Sequence, residues 1–488
     1  MKQMVNSDLK DKIQKALDIG LEYAKKNGAE HAEGFGILER TFNLELEKNK
    51  PKHNLGILHG IAFRVIANNA YGFAYTSSFK SEDIKQTVKA AIQNAKTKTP
   101  DPDIVPFPET KKAEHPLKLD KKFLDMGIDE SVEPFEQLLP SKLPKNLYFL
   151  TAMGNIDSGE TFLKNTSGID IYKQEAGYGL GIGFLSIHGF PIYDFHFEGA
   201  REWGKIIPQE ITKKAIEKTL AVAKPQTLSL SGEYPIILPP EGSYGLFGGL
   251  FMILTDLLRG DKASRGETVF SDKIGEKVAA DNFTLIDDPL HPDMITSTNY
   301  DAEGVPTQKT TLIENGILQT YYLNSYYANK LNMESNGKAT RGGFFGGNPI
   351  KRSPSIGSYA TIIEPGDSSK EEMIQETKEG FMLQNFMGIH MSDFSSGRFS
   401  VTGSGWYIKN GEITFPVQDI TISGTIPELI QNIDLISKER KQGLNNEVPY
   451  LRVSKLSVTA KKMDFKVRIG MKILKTLMAL GLVKNPFI

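Results

Sequence analysis

The chain has no cysteine in its 488 residues, which excludes disulfides and any metal site built on thiolate ligands. A dominant charge sign is also missing. The 58 Lys and Arg nearly balance the 59 Asp and Glu, for a net charge of −1, so no general field draws nucleic acid or acidic substrates. No stretch approaches the roughly 18 apolar residues of a membrane span. The opening MKQMVNSDLKDKIQKALD is polar and lacks the apolar core of a secretory signal. Together these absences lead us to expect a soluble, cytoplasmic protein that does not bind nucleic acid. A chain of this length is expected to form about two to four domains with more than one core.

The local patterns alternate between helical and strand periods. Ser7 or Asp8 stands as the cap of a first helix carrying Ile13, Leu17 and Leu21, closed by Lys25-Lys26-Asn27-Gly28. A strand over 33–45 follows, and then two strand-like runs flank Asn68-Asn69, a pair that tolerates the positive φ of a tight hairpin. Ser81, Glu82 and Asp83 open a second helix with an apolar stripe of Ile84, Val88, Ala91, Ile92 and Ala95. From Pro100 to Pro144 eight prolines stand among charged residues, which reads as an extended connection with one short helix near 121–126. In GYGLGIGFLSIHG, the apolar residues Tyr178, Leu180, Ile182 and Phe184 alternate with glycines. This reads as a strand in close backbone packing rather than a phosphate loop, which would need a strand-turn-helix context. A helix over 208–223 leads into a strand at Tyr234–Leu238. The expected organisation is α+β: an N-terminal helix-and-sheet domain (1–110), a middle domain with a Pro-rich lead-in (111–228), a strand-rich C-terminal domain of hairpins (229–448) and a basic tail (449–488).

The segment 297–320, STNYDAEGVPTQKTTLIENGILQT, combines Asp301 and Glu303 beside Gly304, a threonine-rich strand, an Asn315-Gly316 turn and a second strand over 317–323. The segment 397–426, GRFSVTGSGWYIKNGEITFPVQDITISGTI, adds a glycine-rich strand, an Asn410-Gly411 hairpin and a Pro-Val strand. Both stretches resemble the C-terminal domain of the TldD/PmbA (TldE) metallopeptidase family, and the N-terminal hairpin-then-helix unit resembles that family's first domain. The resemblance covers roughly residues 10–440. It implies a sheet or barrel of hairpins and a role in degrading or processing unfolded or modified peptides. In the family's catalytic branch a helix with H-E-x-x-x-H, together with a later cysteine, holds zinc. Ungapped alignment back from Gly260-Asp261 puts Phe251, Met252 and Asp256 in those places. The chain therefore resembles the TldE/PmbA-like branch without the zinc motif. What this implies is a non-catalytic subunit with no cofactor of its own, shaping a chamber and binding peptide beside a TldD-like partner that carries the zinc. Two alternatives stay open: an active hydrolase with a non-standard site, and a stand-alone peptide-binding homodimer.

The residues that could touch a substrate are scattered. Asp301 and Glu303 could act as an acid–base pair, but at a turn such carboxylates more often bond backbone N–H groups, and that structural role is favoured. Lys338 and Arg341, within GKATRGGFFGG, are placed on a mobile loop that could hold peptide carbonyls or a terminus, with plain surface as the equal alternative. His390 and Arg398 stand with Asp393 and two serines in GIHMSDFSSGR. Without a nucleophile elbow this reads as a polar loop lining a groove rather than a triad. No two of the eight histidines have helical metal-ligand spacing, although His188 and His196 could meet across a hairpin. Residues 451–488 carry nine Lys or Arg against one acid, Asp464. The amphipathic helix expected there would pack on the protein or a partner, with an anionic membrane surface as the other reading.

Overall fold

The computed structural model describes residues 2–47, 50–113, 117–187, 191–240, 246–342 and 347–460; the helix expected in the basic tail, His115 and His188 fall outside them. The N-terminal half is one antiparallel sheet of six strands. In chain order come α1 (Lys2–Lys26), β1 (His31–Glu47), β2 (Lys50–Ala67), β3 (Ala70–Thr76), α2 (Ser81–Lys96), α3 (Lys122–Asp125), α4 (Ile128–Glu136), β4 (Leu147–Asn165), β5 (Asp170–Ile187), β6 (Pro191–Ala200) and α5 (Pro208–Ala221). The strand order is β3-β2-β1-β4-β5-β6. Because β1 pairs with β4, segments on both sides of position 110 share one sheet rather than forming separate layers.

Strand alternation divides the two faces of this sheet. Leu38, Phe63 and Phe162 pack with Ile13, Leu17, Val88 and Ile92 of α1 and α2. Further along the same face, Phe42, Tyr178, Ile182 and Phe184 pack with Phe135 of α4 and with Ile211 and Ala215 of α5. The alternate positions Phe35, Ile37 and Ala62 meet Ile350 from the C-terminal half. The glycines of β5 accept close neighbours: a Cβ on Gly179 would lie 2.3 Å from the Phe197 ring and one on Gly181 2.6 Å from the Phe195 ring.

The C-terminal half contains β7 (Leu230–Leu238), α6 (Leu246–Leu257), α7 (Gly260–Ala263), β8 (Leu285–Asp287), β9 (Thr310–Glu314), β10 (Ile317–Leu318), α8 (Ser325–Lys330), β11 (Ala339–Thr340), β12 (Ser355–Ile356) and β13 (Thr361–Ile363). It continues with α9 (Lys370–Gln375), β14 (Glu379–Met387), β15 (Arg398–Lys409), β16 (Glu412–Thr425), α10 (Ile426–Gln431), β17 (Ile433–Gln442) and β18 (Asn446–Ala460). β18 pairs with both β16 and β7, and β7 pairs with β14. The run β7-β14-β15-β16-β18 therefore closes into a small barrel, whose buried side chains include Ile236, Phe381, Val401, Ile420 and Val453 and pack against Ile253 and Leu257 of α6. Two Asn-Gly turns stand where the sequence places them. Asn315 and Gly316 have φ of 47° and 79°, and Asn410 and Gly411 have 53° and 80°, which is the paired positive φ of a type I′ hairpin. Asn68 and Asn69 repeat it at 54° and 52°.

Four local expectations change. The first helix starts at Lys2 rather than behind a Ser7 or Asp8 cap. The proline-rich connection holds a second helix, α4, with Pro134 inside it. The strand after Asn315-Gly316 is only two residues long. β18 runs across position 449, where the sequence was divided from a tail, and is the strand that closes the barrel. Among the described residues no helix is long and apolar enough to cross a membrane.

Candidate functional site

Two polar regions between the halves are candidates. The first is a buried seam. Glu33 of β1 and Arg64 of β2 lie on the sheet face turned toward the C-terminal half. Arg64 donates to Glu33 at 2.8 Å and to Glu303 at 2.9 Å, and Arg341 donates to the other Glu33 oxygen at 2.7 Å. All four side chains are no more than 7% exposed. Burial alone would lower the Arg64 pKa, but Glu33 and Glu303 raise it overall. Burial likewise opposes ionised Glu303, yet Arg64 and the Ser325 N–H hold it below the usual carboxylate value. Asp301 accepts the backbone N–H groups of Glu303, Val305 and Ala339 at 2.9, 3.0 and 3.0 Å. Burial beside Glu303 pushes it up to about 7, with those donors pulling the other way. Lys338 is fully buried, 2.7 Å from Asp287, and donates to the Gln308 carbonyl at 2.9 Å.

The structure thus gathers Asp301, Glu303, Lys338 and Arg341, but not on a loop open to substrate. Lys338 and Arg341 are 0% and 6% exposed and are ion-paired, so the expected mobile loop is corrected to an anchored segment at these two positions. A lysine or arginine buried in this way is matched by a carboxylate because an unpaired buried charge is prohibitively costly. His390 and Arg398 lie elsewhere, both exposed, His390 on the turn between β14 and β15 and Arg398 at the start of β15. There Asp393 accepts from the N–H groups of Ser395 and Ser396 and from the Ser396 hydroxyl at 2.6 Å. Its carboxylate is committed to its own loop.

The second region is a cavity of about 950 Å³ between β6 and α5 on one side and β14, β15 and β16 on the other. One wall is a charge relay: Lys218 lies 3.3 Å from His196 Nδ1, His196 Nε2 lies 3.0 Å from Glu198, and Lys214 donates to Glu198 at 2.7 Å. The His196 hydrogen bond and Lys214 hold Glu198 down to about 2. Across the cavity Gln384 donates to Asp194 and, at 2.8 Å, to the Lys218 carbonyl. Asn385 donates to the Tyr193 carbonyl of β6 at 3.3 Å and accepts from Ser404 at 2.6 Å. None of the six residues proposed from sequence lines this space. His196 was visible only as half of a weak histidine pair. The rest left no signal because β-bulges and the meeting of two domains create the cavity.

Could the chain hold a catalytic metal? On α6, Met252 offers only a thioether, and Asp256 is contacted by Lys262 and lies 3.6 Å from Arg259. Cations of the protein already compensate the one carboxylate there. Among the described residues no three His, Cys, Asp or Glu side chains converge as a metal site. The donors described on α6 do not fit a zinc ion.

The fold, a helix-covered sheet followed by a small closed barrel, is that of a class of chains whose domains belong to a metallopeptidase family. Residues 32–95 match the PmbA/TldA metallopeptidase domain 1 and residues 231–460 the PmbA/TldA metallopeptidase C-terminal domain. The chain belongs to the PmbA/TldD metallopeptidase family. It is similar to metalloprotease PmbA of Escherichia coli O157:H7, with 26% identity over 449 residues covering 88% of this chain and 91% of that one. The crystal structure of a candidate modulator of a DNA gyrase from Thermotoga maritima superposes with a TM-score of 0.80 at 25% identity, covering 91% of this chain and 100% of that one. TldE from Thermococcus kodakarensis shares the fold with a TM-score of 0.76 at 24% identity and the same coverage.

Proposed function

We propose that this chain is the non-catalytic, PmbA/TldE-like subunit of a two-subunit peptidase that degrades or processes unfolded or modified peptides. The observation that carries this reading is the state of Asp256: on the apolar helix α6, the one acidic side chain is paired with Lys262 and Arg259. On this reading a TldD-like partner supplies zinc and the water-activating base. This chain supplies a wall of the chamber and holds the peptide through main-chain hydrogen bonds. The cavity between β6 and the barrel supports the second part, since it is large enough for a ligand and lined by polar groups that are mostly paired with one another.

The test is coexpression with a chain carrying H-E-x-x-x-H. The two should copurify, and only the pair should cleave an unstructured peptide in a chelator-sensitive way. Robust chelator-sensitive cleavage by this chain alone would reverse the assignment.

A further inference from the structure

The floor of the cavity lies where two adjacent strand pairs lose register together. β14 and β15 slip between Leu383 and Asn385, leaving Gln384 extra. β15 and β16 slip between Gly403 and Gly405, setting Ser404 against Gln418 and Asp419. A bulge leaves ladder groups unpaired and re-aims side chains. Asp419 adopts φ of 55°, a backbone conformation that residues other than glycine rarely take. Gln384, Asn385, Ser404, Gln418 and Asp419 consequently all line one cavity.

Most of these groups have partners: Gln384 in Asp194 and the Lys218 carbonyl, Asn385 in Ser404 and the Tyr193 carbonyl. Gln418 differs. It is 6% exposed, its Nε2 donates to Asp419 at 3.1 Å, and its Oε1 has no donor among the described residues. A buried carbonyl oxygen without a donor is destabilising unless something satisfies it. The oxygen is itself covered, so meeting an external donor requires the carboxamide to turn about its terminal torsion. That torsion is broad, and turning it exchanges the carboxamide's hydrogen bond to Asp419 for one to the incoming donor. At the mouth stand Tyr193, 43% exposed, and Met387, 60% exposed, in contact with each other. An aromatic ring and a flexible thioether accept many side chains without selecting among them.

We propose that Gln418 is the main-chain anchor of a peptide subsite on this chain: its Oε1 accepts a backbone N–H of an extended segment lying along the bulged floor, and Tyr193 with Met387 takes the side chains at the mouth. This rests on the reading that the cavity receives peptide. The ligand class follows from the floor's chemistry. The lysines and carboxylates of the lining nearly balance in number, so no fixed ligand charge is demanded, and the unsatisfied group is an amide-type acceptor, which every peptide bond except that of proline can meet. Recognition of this kind is independent of sequence, as a chamber for unfolded chains requires.

The test uses the full chain and a short, dye-labelled unstructured peptide, titrated by fluorescence anisotropy, alongside the same peptide N-methylated at successive positions. Gln418→Met, which keeps the shape and removes the acceptor, should weaken binding about three- to tenfold, the range for one neutral hydrogen bond. N-methylation at one position should cost the wild-type chain a similar factor and cost the variant nothing. Equal binding by wild type and variant, or an N-methyl effect of the same size in both, overturns the subsite. If the variant does not fold by circular dichroism, the wild-type scan decides alone, since insensitivity at every position overturns the proposal. Failure of the wild-type chain to bind any peptide would remove the wider reading as well, an outcome distinct from a silent substitution.

Discussion

Replacing Arg64 by methionine isolates what the interdomain seam contributes. Arg64 bridges Glu33 and Glu303 at 2.8 and 2.9 Å and lies over the Phe107 ring at 4.6 Å from its centre. With the guanidinium gone, Arg341 still answers Glu33, but Glu303 keeps only Ser325, through its N–H at 2.9 Å and its side chain, and becomes a buried carboxylate that has lost its ion-pair partner. Removing one member of a buried pair costs about 3–5 kcal/mol, which for a domain of this size lowers Tm by about 6–20 °C. Arg64→Met with Glu303→Gln restores charge balance and should recover most of that loss, although not the contact with Phe107. The pH dependence has a definite sign. Glu303 is held below its ordinary value in the folded state, so its contribution is complete above the unfolded pKa of about 4.3 and is lost as pH falls below it. The gap between wild type and Arg64→Met should therefore be widest near neutrality and shrink in acid. Thermal unfolding followed by circular dichroism measures all three proteins. A single substitution that shifts Tm by less than about 2 °C, or a double variant no better than the single, would refute the view that the seam is an electrostatically closed unit.

Glu198→Gln should flatten the acid limb of stability: Glu198 sits near 2 in the folded chain, so its contribution is present above about 4.3 and disappears as pH falls toward 2, and chemical denaturation at several pH values reads the converging curves. Gly181→Val should destabilise by about 1–3 kcal/mol through overpacking, because even a Cβ there would approach the Phe195 ring to 2.6 Å; urea midpoints measure it. Gly411→Ala should also destabilise, since φ is 80° and a Cβ would lie 2.7 Å from the Gln375 carbonyl, and the expected result is a lower Tm with an unchanged β-type spectrum. Dialysis of the isolated chain against a chelator should leave its Tm unchanged, and elemental analysis should find no stoichiometric transition metal.

Features set by short-range chemistry were legible in the sequence. The Asn68-Asn69, Asn315-Gly316 and Asn410-Gly411 turns follow from tolerance of positive φ, and the stripe Ile84, Val88, Ala91, Ile92 and Ala95 is buried as its period requires. The glycines of β5 marked close packing. Features set by distant pairing were not legible. The sheet spans position 110 because β1 finds β4 across more than a hundred residues, and β18 closes the barrel from a stretch whose basic composition suggested a tail. Lys338 and Arg341 sit in a glycine-rich run, and glycine content describes local freedom while saying nothing of Asp287 or Glu33, the carboxylates that fix them. The cavity was hidden for a further reason: its floor depends on bulges, and a bulge is a property of two strands together.

The two polar regions differ in how firmly their polar groups are fixed, and that difference separates support from binding. In the seam Arg64 Nε and Arg341 Nε also lack a hydrogen-bond partner among the described residues, but every carboxylate has a cation or several N–H donors and the members are nearly inaccessible, so a ligand could enter only by breaking pairs that the fold needs. In the cavity the walls are paired but partly open, with Glu198 32% exposed and His196 16%, and the floor retains one acceptor without a donor. Rearranging a neutral carboxamide is far easier than uncovering a buried ion. The strongest electrostatic features of the chain, with Glu303 and Arg341 among the residues that stand out in its sequence, therefore hold the two halves together, while on the proposed reading recognition falls to a neutral side chain that no motif announces.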